Sequence, residues 1–510
     1  MNLAFAPTGH TFDRGLTTRG RRAGDRYVVW LGAVLLGYAL LSRAFAYVGV
    51  PPLFIGEIMI LFGVAALVRA GRVGPILAQP AAWLAAALVG LAAVRTVPYV
   101  GEWGLDAARD FMMLGYAVYA LIVGGLVVAK PERLVRILSD YRRFAVVMVS
   151  LVWLVYLVYK VAGPSLPYLP WSGTTQIIEA KGGDIMVHLC AITVFVVLGM
   201  MPRAPLFMLA LAANTAIVVA SNRGGMVAYV LGFGVAYVLR PPQARVGRLA
   251  YAFVLFVALG VLAGPLAKIN GASRSISVDQ IVLNVQSLFG QGGEHLDGTK
   301  KWRLLWWEKI WTDTVHGPLF WTGRGFGVNL AVADGFDVIK ELRSPHNGHM
   351  TILARMGVPG FALWLAMLAV WMGSLAAEWL RARRAGRHRW MALFAFLAAY
   401  MVAIHVNASF DVFLEGPMGG IWFWSVFGLG LAACTLHATH PDVLLDSAAP
   451  LDDDRDGDPR ADPHGPRAAA WSWDDPAEPA SGPAPAPGGF PGRTPGRGVW
   501  HAEPAAGRWP

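Results

Sequence analysis

Charge and cysteine are what this chain of 510 residues has least of. Only 15% of its residues are charged, where a soluble chain carries about 25%. The two cysteines, Cys190 and Cys434, both lie inside apolar runs, so a disulfide framework is excluded and the redox compartment stays open. No CxxC or Cys/His zinc spacing occurs. The chain also lacks a P-loop, a paired acidic nucleotide–metal motif and any internal repeat, so no cofactor and no metal are expected.

What the chain has is apolar length. Hydrophobic residues make up 55% of it, the mean hydropathy is +0.48, and many apolar runs reach roughly 17–20 residues. These features predict an all-α integral membrane protein with about 12 transmembrane helices. The expected spans are 27–46, 52–69, 78–95, 110–129, 143–162, 184–201, 204–220, 224–240, 248–267, 350–373, 389–406 and 418–437. "AFA" at 44–46 resembles a signal-peptidase site, but the basic stretch before the first run is long and many spans follow, so an uncleaved first helix is expected.

Charge sets the orientation. With the N-terminus inside, the inner segments collect Arg14, Arg19, Arg21, Arg22 and Arg26, then Lys130, Arg133, Arg136, Arg142 and Arg143, and later Arg381, Arg383, Arg384, Arg387 and Arg389. The short outer segments hold only Arg43, Arg95, Arg109, Lys160 and Arg223. This bias places both termini in the cytoplasm, and it accounts for the net charge of +10 without nucleic acid as a partner. The expected organisation is a cytoplasmic segment 1–26, a polytopic domain 27–437 and a disordered cytoplasmic tail 438–510 rich in Pro, Gly, Ala and Asp. Between the ninth and tenth spans lies a large outer loop, 268–349, with periodic apolar content that predicts partly helical structure.

Three stretches on the outer side carry chemistry. In "SNRGG" (221–225), Ser221 or Asn222 can cap the helix that follows, and the first-turn N–H groups around Gly224 and Gly225 with the Arg223 guanidinium suit a phosphate. The bland reading of Arg223 is an interfacial side chain that reaches to water. In the loop, "GTKKWRLLWWEKIWTDTVHGPLFWTGRGFGVN" (298–329) reads as an amphipathic helix followed by a Gly-rich turn. Its tryptophans fit an interfacial anchor, although Trp302 and Trp307 can also stack on sugar rings, and Arg303 can reach an anion at the same depth. "SPHNGHMTILARMGVPG" (344–360) ends the loop: His346 suits proton transfer near neutral pH, Asn347 follows it, and Gly357 and Gly360 are spaced for close packing. The plain reading of His346 is a helix cap, and the spacing of His346 to His349 is not completed into a metal site. His405, Asp411 and Glu415 form a second outer polar cluster with no assigned role.

Together these residues resemble the O-antigen ligase superfamily, over roughly 185–435. Its ligases end a large periplasmic loop with His, then Asn, Ser or Gln, then nine residues and Gly-x-x-Gly; here His346, Asn347, Gly357 and Gly360 are in register. "SNRGG" and "WRLLWWEKIW" are similar to the family's two arginine stretches. The resemblance implies a metal-independent glycosyltransferase of the bacterial inner membrane, active on the periplasmic face. It would move a glycan from undecaprenyl diphosphate to a hydroxyl of a lipid or glycan acceptor, such as lipid A-core. Arg223 and Arg303 would hold the diphosphate, His346 would be the general base, Asn222, Gly224, Gly225, Trp302, Trp307 and Asn347 would bind substrate, and Gly357 and Gly360 would be structural. A polysaccharide polymerase using the same donor is the alternative. A lipid-linked glycan transporter is a remote one, since neither inverted repeats nor a deep polar pathway is evident.

Overall fold

The computed structural model describes residues 18–219, 222–244, 294–336 and 342–444. They form an all-α membrane protein. Its longer helices are α1 (Thr18–Leu41), α3 (Ile55–Ala70), α5 (Pro80–Trp103), α6 (Leu105–Gly115), α7 (Val118–Ala129), α8 (Glu132–Ala162), α9 (Gly182–Val197), α10 (Pro205–Val219) and α11 (Arg223–Leu239). Short helices α2 (Arg43–Ala46) and α4 (Gly74–Leu77) lie among them. After 294 come α12 (Glu294–Val315), α13 (Leu330–Asp334), α14 (Gly348–Arg384), α15 (His388–Ala408) and α16 (Pro417–Thr439).

Seven segments are long and apolar enough to cross a bilayer: 22–41, 80–103, 105–129, 132–162, 348–384, 388–408 and 417–439. Helices α9, α10 and α11 are apolar but shorter. Every expected span falls on a helix except 248–267, which lies outside the described residues. Of the outer loop, 294–336 and 342–349 are described, and of the tail only 438–444, where α16 ends and a 3-10 turn reaches Leu444.

Burial sorts the helices into centre and rim. In α16 94% of the apolar window is buried and in α15 83%, while in α1, α5 and α8 the share is 33%. Apolar on every side, α15 and α16 form the centre against which the one-faced helices pack. Small residues let them approach: a Cβ on Gly428 of α16 would stand 2.4 Å from the Ala120 carbonyl oxygen of α7.

Helix α14 is broken where the loop docks. Gly357 has φ 66° and ψ −169°, a region open essentially only to glycine. The break frees backbone groups that the turn after α12 then takes up. Arg324 N–H donates to the Ala354 carbonyl at 2.7 Å, Gly325 N–H to Arg355 at 3.0 Å, and Val358 N–H to Phe320 at 2.8 Å. In that turn Gly323, Gly325 and Gly327 all have positive φ. The close packing expected of Gly357 is therefore against loop backbone. Gly357→Ala should destabilise the protein by about 1–3 kcal/mol, because its Cβ would sit 2.4 Å from the Phe320 oxygen. The thermal midpoint of the purified protein measures this, and an unchanged midpoint would remove the break's structural role.

Candidate active site

The three stretches singled out in the sequence, 221–225, 298–329 and 344–360, meet at the turn between α15 and α16. Helix α11 starts at Arg223 with Asn222 as its N-cap, whose Oδ1 accepts from Gly225 N–H at 2.6 Å. The expected cap at Ser221 lies outside the described residues. A Cβ on Gly224 would be 2.7 Å from Phe410 Cβ, and one on Gly225 2.8 Å from Met186 Cβ. Glycine here lets the helix start lie directly on the end of α15 and the start of α9. The Gly225 N–H, one of the groups the sequence offered to a phosphate, is thus held by the cap.

Arg303, on α12, reaches the same turn and donates from Nη1 to the Phe410 carbonyl at 3.0 Å. Its guanidinium carbon lies 5.5 Å from the centre of the Trp302 ring. That ring in turn meets His346 edge-on, with centroids 6.0 Å apart. Helix α12 is held by Trp306, which is buried and donates from Nε1 to Asp334 at 2.8 Å. Trp306 is therefore core; Trp311 remains 44% exposed. Trp307 is half-buried, its indole N–H bonded to the Pro345 carbonyl at 2.8 Å, which fixes the residue before His346.

His346 is not the cap of α14. Asn347 is: its Oδ1 accepts from His349 N–H at 3.0 Å and Met350 N–H at 3.1 Å. His346 itself has φ 53°, an uncommon region for a residue with a side chain. It is held there between buried neighbours and turns Nδ1 toward Asp411 Oδ1 at 3.4 Å. Lys181 Nζ lies 3.9 Å from the same oxygen. Burial would raise the Asp411 carboxyl, but Lys181 and then His346 outweigh it and hold the group well below the usual carboxylate range. Burial likewise works against the Lys181 ammonium, and Asp411, Asp184 and Glu179 outweigh it and raise its value. One ionised carboxylate thus stands between a lysine and the histidine ring.

The remaining members of the outer polar cluster are now placed. Glu415 Oε1 accepts from Thr351 at 2.9 Å, while Oε2 is buried with no hydrogen-bond partner among the described residues. His405 lies with His349, Trp364 and Phe423. His349 is likewise engaged, accepting from Trp364 Nε1 at 3.0 Å.

A second ion network, not read from the sequence, ties the loop to the bundle. Asp110 on α6 binds Arg355 Nη2 at 2.9 Å and Arg343 Nη2 at 3.0 Å, and accepts from Gly327 N–H at 3.0 Å. Arg355 is 4% exposed. Its signal was an arginine inside the apolar run "TILARMGV", which demands a partner. Among the described residues no group of three His, Cys, Asp or Glu is placed to hold a metal ion.

The family model described as O-Antigen ligase matches residues 206–365. The match runs from α10 through the break in α14, inside the expected 185–435, and takes in Arg223, Arg303, His346, Gly357 and Gly360. No curated protein matches the chain.

Burial pushes the Glu415 carboxyl up to about 7, against the hydrogen bond from Thr351. A raised folded value means stability is greatest below the ordinary carboxyl range and is lost as pH rises through about 7. The thermal midpoint should therefore fall between pH 5.5 and 8, and Glu415→Gln should flatten that fall. Parallel curves for the two proteins would contradict it.

Proposed function

Residues 206–365 carry the O-antigen ligase family pattern, and on that premise we propose that this chain is a glycosyltransferase moving a glycan from undecaprenyl diphosphate to an acceptor hydroxyl. The proposed place is the periplasmic face of a bacterial inner membrane. The observation that carries the reading is the meeting of the α11 start, Arg303 and His346 at the 409–411 turn: Gly224, next to Arg223, lies against Phe410, Arg303 bonds the Phe410 carbonyl, and His346 stands beside Asp411.

In this mechanism the guanidinium groups of Arg223 and Arg303 bind the diphosphate and stabilise charge as it leaves the anomeric carbon. His346 accepts the acceptor hydroxyl proton at Nε2, the ring nitrogen opposite Asp411. The Asp411 carboxylate faces Nδ1, where it orients the ring and stabilises the imidazolium. Lys181 keeps that carboxylate ionised. Trp302 offers a ring face beside His346 for the sugar. Asn222, Asn347, Gly224, Gly225 and Trp307 act by shaping the walls, since their polar groups or close contacts are engaged within the protein. The activated bond is already present in the lipid diphosphate, so the step as proposed needs no metal and no nucleotide.

His346→Ala should lower turnover by about 10²–10⁴, or roughly 3–5 kcal/mol of barrier. Arg223→Ala and Arg303→Ala should each cost about 10²–10³. Full activity in all three correctly inserted variants would sink the mechanism. Mass spectrometry of lipids from cells carrying His346→Ala then separates the two activities. Long glycans accumulating on the carrier indicate the ligase, and single repeat units indicate the polymerase. Chelator should leave turnover unchanged, and strong inhibition would count against the metal-free step.

A further inference from the structure

The turn from α14 to α15, at the end of the bundle away from His346, concentrates positive charge. Arg381, Arg383 and Arg384 close α14, and Arg387 and Arg389 flank the start of α15. From 378 to 389 the chain holds one carboxylate, Glu378. It is buried and already shared, by Arg381 and by His437 Nδ1 at 2.8 Å. Arg383 and Arg384 are exposed, and among the described residues neither is paired with a carboxylate. Arg383 stands 5.5 Å from the centre of the Trp379 ring. Arg240 joins this face, because Trp379 Nε1 donates to the neighbouring Leu239 carbonyl at 2.8 Å.

Two observations identify what covers the face. The first is where the chain goes after α16. Trp390, next to Arg389, donates from Nε1 to the Pro441 carbonyl at 2.7 Å, and Leu444 is buried. The chain is thus pinned beside the arginines, and Asp442 is the one carboxylate in 439–444. The second observation is charge. Eight residues past Leu444 begins "DDDRDGD" (452–458), five aspartates with Arg455 as the only cation. Eight residues reach at most about 28 Å, and packed helices such as α14 and α15 stand about 8–10 Å apart. The run therefore has the length to lie on the last turn of α14. A segment tethered so closely has an effective concentration on the order of millimolar. Arginines at this end of a bundle ordinarily meet water or lipid head groups. A head group offers a single anion, whereas the run offers a row of carboxylates, each suited to a guanidinium fork.

We propose that the acidic run 452–458 docks on the arginine turn 381–389, pairing above all with Arg383 and Arg384. The proposal is independent of the glycosyltransferase reading and uses none of its residues. It gives the acidic segment, which lies beyond the stretch matched by the family model, a partner within its own chain.

Double electron–electron resonance on the full chain tests it, with spin labels at Ala385→Cys and Gly457→Cys; the native Cys190 and Cys434 are buried. The protein is held in nanodiscs that contain phosphatidylglycerol. The labels should give one narrow distance distribution. Changing the five aspartates to Asn should lower the docked population about fivefold or more, the worth of two exposed ion pairs. Arg383→Gln with Arg384→Gln should do the same at an unchanged thermal midpoint, and so should salt at about 1 M. Identical distributions with and without the five aspartates would overturn the proposal. So would a narrow distribution seen only in nanodiscs free of anionic lipid, since head groups would then be what covers the turn in a membrane.

Discussion

A carboxylate buried in a protein keeps its charge only if cations or N–H donors stand beside it, and Asp411 is the carboxylate on which this candidate site depends. Lys181 comes from the connection before α9, His346 from the end of the outer loop, and Asp411 from the turn after α15. Segments far apart in the chain are thus brought to one oxygen atom. Removing the lysine would shift the balance toward burial, which favours the neutral acid, with His346 and the Val412 N–H left to oppose it. A neutral acid neither stabilises an imidazolium nor holds the ring as firmly. The ion pair therefore supports the proposed proton transfer as well as joining segments.

The loop is fixed to the bundle by a different device. Gly357 interrupts α14, and the carbonyls of Ala354 and Arg355 accept from the turn at 324–325. Asp110 collects Arg343 and Arg355 behind it. Backbone pairing sets the position of the turn, and the buried arginine network clamps the residues immediately before His346. The uncommon φ of His346 follows: Pro345 is held by Trp307, Asn347 is committed to the cap, and the residue between them takes the conformation left to it. Motif residues such as Gly357 and Asn347 thereby hold the segment that carries His346.

Much of this was legible in the sequence, for definite reasons. Apolar runs mark helices because a bilayer leaves backbone polar groups no other partner, and so the expected spans within the described residues fall on helices. The span count was less legible: hydropathy finds apolar runs, but α9, α10 and α11 are apolar yet short, and length decides whether a helix crosses. Which helices are central was illegible, since α1 and α16 read alike and only packing shows that α16 is buried on every side. In the candidate site, the residues proposed to act are those with a local signature: Arg223 at a helix start, Arg303 among tryptophans, His346 before a cap. Lys181 and Asp110 could not, because their partners are far away in sequence and nothing local distinguishes them from other outer charges. Arg355 left a signal, an arginine inside an apolar run, without indicating its partner.

The charge distribution at the site bears on how one protein could both hold a diphosphate and activate a hydroxyl. A strong anion site and a base want opposite fields: cations that bind phosphate also disfavour a protonated imidazole. The arrangement separates the two. The start of α11, at Gly224, and Arg303 approach the 409–411 turn at Phe410, while His346 approaches it at Asp411, one residue on. The Asp411 carboxylate is shared by the base and the charge of Lys181, and the Trp302 ring touches both Arg303 and His346. Screening by the carboxylate lets an imidazolium form beside a cationic pocket. On the proposed mechanism this requires the acidic residue at 411 to be ionised when the hydroxyl attacks, and the lysine that ensures it lies outside the stretch matched by the family model.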